Sequence, residues 1–226
     1  MNRKSIKNFL IKHKNLSRQL TSAYNHIPLN NFIHIGNGNS FMCYGILKKT
    51  KIRIKGNGNK IIIGELSRVI NSNIEINGND NTIIIGDRSL IVDGEFFIED
   101  DLGTIEIGKD TNICGKTHLA CIEGRNINIG NDCLFSANIT FRTGDSHSII
   151  NCETKQRINQ SKNISIGNHV WIGNQVTILK GVNILDHTII GTGSLVTKSC
   201  GLEGVILAGN PAKIVKTDIT WIGERI

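Results

Sequence analysis

An aliphatic residue returns every six positions through the C-terminal half of this chain. The hexads IGNHVW, IGNQVT, ILKGVN, ILDHTI, IGTGSL and VTKSCG are contiguous and begin at Ile166, Ile172, Ile178, Ile184, Ile190 and Val196. That beat matches neither the 3.6-residue turn of a helix nor the two-residue alternation of a half-buried strand. A coil of three short strands joined by three corners satisfies it. The leading residue of each hexad then points inward and stacks on its counterparts in the coils above and below. Upstream, triplets of hexads begin at Ile85, Ile91, Phe97, then Ile107, Ile113, Leu119, then Ile129, Phe135, Phe141. Steps of six within a triplet and ten between triplets predict coils of 22 residues. The same step separates Gly64, Gly86, Gly108 and Gly130, which close turn-plus-strand phrases such as GNGNKIIIG and GNDNTIIIG. The next such glycine, Gly167, follows after 37 residues, so one coil carries about fifteen extra residues.

The pattern predicts an all-β solenoid over residues 31–200, preceded by a basic segment (1–30) and followed by one strand and a tail (201–226). Glycine and asparagine are abundant, as tight left-handed corners require. In the first segment Ile6, Phe9, Leu10, His13, Leu16, Leu20 and Tyr24 fall near helical spacing, with Lys and Arg between them, and Pro28 closes the run. A short helix there can cap the open end of the first coil or make peripheral contact with a membrane surface. No run approaches the ~18 apolar residues of a membrane span. The N-terminal apolar stretch is too interrupted for a signal peptide, so a cytoplasmic setting is expected. Six cysteines without a C-x-x-C pair read as small core fillers in a reducing compartment. Residues 1–64 hold twelve Lys or Arg and no acid, whereas the remainder is acid-rich. A basic end of this kind attracts an acidic polymer or anionic lipid; no nucleic-acid partner is expected.

The extra residues fall in FRTGDSHSIINCETKQRIN, residues 141–159, and the predicted loop spans about 142–161. Seven histidines compete for a chemical role. His13 and His26 lie in the N-terminal segment and His34 precedes the first regular coil. His118 and His187 fall late in their hexads, where side chains face solvent, and His169 leads into Trp171. Only His147 lies in the loop. A neutral imidazole there is suited to take a proton from a hydroxyl. Asp145 can fix its tautomer, or can be an ordinary turn carboxylate. Cys152 shares the loop, but a cysteine nucleophile needs a base and a lowered pKa, which nothing in the sequence signals.

With HVWIGNQVTILKGVNILDHTIIGTGSLVTK followed by LAGNPAKIVK, the chain resembles hexapeptide-repeat acyltransferases over roughly residues 30–216. From His169 to Lys216 it is similar to the maltose and galactoside O-acetyltransferases. The arrangement GDSHSI, RIN and ISIGNHVWIG resembles still more the bacterial polysaccharide O-acetyltransferases, among them those of polysialic acid. The resemblance implies a left-handed parallel β-helix and a homotrimer with active sites between subunits. It also implies acetyl-CoA as donor, no metal, and the hydroxyl of a surface-polysaccharide sugar as acceptor. It makes His147 the general base and places Trp171 beside the acetyl group, donating its indole N–H or lining the pantetheine channel. Donor contacts are expected from backbone amides at Gly173 and Gly191 and from Lys180, Lys198 and Lys213. Asn138, Arg142 and Arg157 are the candidate acceptor contacts. Two departures stand out: Lys180 replaces the proline of many relatives, and the N-terminal coils lack the helical preface of the maltose group.

Three other readings compete. An N-acetyltransferase acting on an amino sugar shares the scaffold. A γ-carbonic anhydrase does too, but no two histidines here form its H-x-x-x-x-H pair. A non-catalytic solenoid binding an acidic polymer explains the basic end and leaves the His147 loop without a purpose.

Overall fold

The computed structural model describes residues 14–25, 27 and 30–226. The expectations placed on Ile6, Phe9, Leu10, His13, His26 and Pro28 lie outside those residues. The helix Lys14–Asn25 is followed by a solenoid whose strands stack into three flat faces. The first face has eight strands, from Phe32–Ile35 to Leu195–Val196; the second has seven, from Ser40–Cys43 to Asn183–Ile184. The third has nine, from Ile46–Lys48 to Ala212–Lys216. Successive coils pair in parallel, so each isoleucine lies on the next. Ile63, Ile85, Ile107, Ile129, Ile166 and Ile184 form one such column on the second face. All six are at most 3% exposed, and burying each stabilises the fold by ~1.5–3 kcal/mol. The coil step along this column is 22, then 37 across the loop, then 18, as the hexads predict.

One inward position differs from the sequence reading. Phe97 faces outward and is half-buried, while Phe96 and Ile98 fill the core. The reason is a local slip: Phe96 pairs with Leu119, a step of 23, although Ile91 pairs with Ile113 and Ile105 with Ile127 at steps of 22. The corner before Thr117 therefore holds one residue more than its predecessor, and the next corner one fewer. Within the apolar run Phe96–Phe97–Ile98, hexad counting chooses the wrong side of the sheet.

Polar ladders run up the corners. The hydroxyls of Ser67, Ser89 and Thr111 donate to the carbonyls of Gly86, Gly108 and Gly130 at 2.8, 2.9 and 2.9 Å. Arg88, Asp110, Asp132 and His169 take left-handed backbone (φ between 54° and 60°) at successive levels of one corner. The repeating glycines serve a different need. A Cβ on Gly86 would sit 2.5 Å from the Lys109 nitrogen, so only glycine lets adjacent coils approach.

Both ends are closed. At the start, the buried Asn25 at the end of the helix donates from Nδ2 to the Gly45 carbonyl at 2.9 Å and accepts from the Leu47 N–H at 2.8 Å. It thereby pairs the Leu47 N–H of the edge strand Ile46–Lys48. At the other end the chain adds two strands rather than one. Ile206–Gly209 continues the third face, and Ala212–Lys216 folds back antiparallel on it. No described helix is long and apolar enough to cross a membrane.

Candidate active site

The long loop occupies residues 143–163, between strand Ile139–Arg142 of the first face and Ile164–Ile166 of the second. It projects as an arm rather than as loose chain. The Ile158 N–H donates to the Ile149 carbonyl at 2.9 Å and the Asn151 N–H to the Gln156 carbonyl at 2.9 Å, which makes a small antiparallel hairpin. Asn151 Oδ1 closes its turn by accepting from the N–H groups of Glu153 and Thr154. Thr143 anchors the base, accepting on Oγ1 from the Ile122 N–H at 2.9 Å.

Opposite charges from adjacent coils grip the arm from both sides. From one coil, Glu123 accepts from Arg157 Nη2 at 2.6 Å. From the other, Lys180 donates to Asp145 Oδ2 and to the Asn159 carbonyl at 2.9 Å. The Arg157 guanidinium holds Glu123 below the usual carboxylate range. The Lys180 ammonium, then the Asn159 amide, lower Asp145 likewise. Between arm and solenoid lies an open cleft of about 440 Å³, lined by Arg142, Gly144, Asp145, Ser146, His147, Ile149, Leu179 and Lys180. His147 is exposed, and among the described residues its ring has no hydrogen-bond partner. Asp145 thus meets Lys180 and Asn159 rather than the His147 ring. Arg142 donates to Ser146 Oγ at 3.1 Å and has no carboxylate partner among the described residues. Cys152 is exposed and unpaired.

Trp171 lies elsewhere. It is 38% exposed on the third face, the side of the triangular coil opposite the corner that bears the arm. Beside it the C-terminal tail returns to the solenoid. The Trp221 ring is 6.2 Å from that of Trp171 and stacks on His169 at 4.3 Å. Trp221 Nε1 donates to the His169 carbonyl at 2.8 Å, and the His169 ring faces Asp132 Oδ2 at 2.7 Å and the Trp221 carbonyl at 2.9 Å.

The residues singled out from the sequence therefore form two groups. Asp145, His147, Arg142, Arg157 and Lys180 share the arm corner, and Lys198 lies at the same corner nearer the C-terminal end. Trp171, Gly173, Gly191 and Lys213 lie on the third face. Asn138, left-handed at φ 58°, sits at the corner between the third and first faces, the corner that Gly173 enters one coil later. The N–H groups of Gly173 and Gly191 donate to the carbonyls of Ile190 and Leu207 at 2.8 Å each. Lys180 is committed to the arm, and Lys198 and Lys213 remain exposed with no ion-pair partner among the described residues. Sequence reasoning missed Glu123, Asn159, His169 and Trp221, whose partners lie 34, 12, 37 and 52 residues away.

A parallel β-solenoid built on hexads, with one long arm, matches the hexapeptide-repeat class of transferases. The family model for bacterial transferase hexapeptide (six repeats) matches residues 163–198. The polysialic acid O-acetyltransferase of Neisseria meningitidis is 33% identical over 201 residues, covering 89% of this chain and 90% of that relative. Among solved structures, the polySia-specific acetyltransferase NeuO superposes with a TM-score of 0.74 at 32% identity, covering 85% of this chain and 83% of its own. The polysialic acid O-acetyltransferase OatWY follows at 0.65 and 30%, covering 87% and 92%. The chain belongs to the hexapeptide-repeat O-acetyltransferases, with their left-handed β-helix, and is an O-acetyltransferase.

Proposed function

We propose that this enzyme transfers an acetyl group from acetyl-CoA to a sugar hydroxyl of an acidic bacterial surface polysaccharide, in sites shared by neighbouring subunits of a homotrimer. The carrying observation is the separation of His147 and Trp171 onto opposite sides of one coil: each chain holds two half-sites. Acetyl-CoA supplies the acyl group as a reactive thioester. The exposed indole of Trp171 is suited to donate to the thioester oxygen as negative charge develops there. Lys213, on the last strand of the same face, and Lys198, at the arm corner, are exposed and suited to meet phosphate charge. His147 accepts the proton of the sugar hydroxyl while that oxygen attacks the thioester carbonyl, then returns a proton to the departing thiolate. The Arg142 guanidinium in the His147 cleft, with no carboxylate partner among the described residues, favours an acceptor that carries a carboxylate, which agrees with the polysialic acid named for two relatives. Alkali checks the hydroxyl acceptor: an O-acetyl ester is released and an amide is not.

The test uses labelled acetyl-CoA with sialylated, uronate and neutral glycans. His147→Ala should lower transfer by about 10³-fold or more. Mixing His147→Ala with Trp171→Ala subunits should restore a fraction of the sites. Equal loss in the mixture and in its parents would place both residues in one subunit's site and sink the shared-site reading.

A further inference from the structure

Asn159 is 7% exposed, and every hydrogen-bonding position of its side chain is in use. Its Nδ2 donates to the His147 carbonyl at 2.8 Å and to Asp145 Oδ2 at 2.9 Å. Its Oδ1 accepts from the Ile149 N–H at 2.7 Å and from Arg157 Nε at 3.1 Å. A side-chain amide offers two donors and one oxygen with two lone pairs, so all four positions are filled. The pattern is that of a strand rung. The arm's backbone ladder ends where the Ile158 N–H meets the Ile149 carbonyl. Beyond it, the Asn159 amide acts as a substitute peptide group, donating to His147 and accepting from Ile149 as a neighbouring strand would.

The main-chain carbonyl of Asn159 takes further anchors, from Lys180 Nζ at 2.9 Å and Arg157 Nη2 at 3.4 Å. Lys180, which grips the arm from the solenoid, and the arm's own Arg157 thus converge on this one residue. We infer that Asn159 is a positioning residue: it fixes the backbone on both sides of His147 and hence the direction from which the imidazole meets the acceptor. Glu123 and Lys180 hold the arm to the solenoid, and Asn159 sets the shape of the arm itself. This role rests on the reading of His147 as base.

Aspartate has nearly the same shape but no donors. Asn159→Asp places a carboxylate against the His147 carbonyl and the Asp145 carboxylate, while Asn159→Ala simply removes the rung. With acetyl-CoA and oligosialic acid as the assayed pair, either change should lower kcat by about 100-fold. The KM for acetyl-CoA should stay within about twofold of wild type. In hydrogen–deuterium exchange, peptides over residues 145–151 should lose protection in Asn159→Ala while strands of the solenoid keep theirs. The proposal is overturned if arm protection is unchanged, if kcat stays within about threefold, or if the solenoid loses protection together with the arm. A His147→Ala enzyme that still transfers acetyl would remove the base reading. The exchange result would still report separately whether Asn159 shapes the arm.

Discussion

Residues 100–103 and residues 143–163 occupy the same corner of the solenoid, two coils apart, and are held by different physics. The short corner is closed by repetition. Asn81 donates to Asn59 Oδ1 and accepts from the Gly103 N–H at 2.7 Å, as Asn59 itself donates to Asn39 one coil earlier. Each rung is the same bond made again, over a column of buried isoleucine. The arm repeats nothing. It is fixed by single bonds between unlike groups: Glu123 with Arg157, Lys180 with Asp145, Asn159 with His147. Repetition gives stability to a surface that has no partner of its own, whereas single polar bonds give one site a definite shape. An enzyme can in this way carry a long, individually bonded arm on a scaffold that repeats on either side of it.

Deleting residues 145–159 removes fifteen residues and restores the ordinary 22-residue step. Transfer should fall by more than about 10³-fold, as measured with labelled acetyl-CoA. The unfolding temperature should move by less than about 5 °C, since a loop of this length adds little to closure entropy. A deletion variant that fails to fold would show that the arm supports the solenoid. Phe141→Ala makes the opposite cut. Phe141 is fully buried and stacks on Phe135 at 5.7 Å. Its truncation should cost about 3–5 kcal/mol in chemical denaturation, with turnover per folded molecule kept. Acid should separate the two regions most gently. Glu123 and Asp145 have folded pKa values lowered from 4.5 and 3.8 by Arg157 and Lys180. Their contribution is therefore present above those values and is lost as pH falls through the lower folded ones. Pepsin digestion at descending pH should cut first within 143–163, before any strand of the solenoid.

The scaffold was legible because its signal is periodic and local. Six in-phase hexads and a ladder of glycines leave one architecture, and the 37-residue interval located the arm to within two residues. His147 stood out by being the one histidine in the long loop. The partners of these residues were not legible. Lys180 read as a donor contact because nothing near it in sequence shows Asp145, 35 residues back. Hexads likewise do not reveal that the next coil takes up the N–H groups of Gly173 and Gly191. Phe97 was misplaced because corner length is invisible within a continuous apolar run. Trp221 carries no period at all, and only the return of the tail to His169 gives it a place.

The step of 23 between Phe96 and Leu119 has a bearing on how such chains change over generations. One corner holds a residue more than its counterpart a coil earlier, the following corner one fewer, and the glycine ladder beyond keeps its count. This one-residue difference is therefore cancelled within a single circuit, and the strand pairing after it is unchanged. The arm is the same tolerance at larger scale: a place where inheritance can lengthen, trim or rewrite a segment while every coil on either side keeps its register.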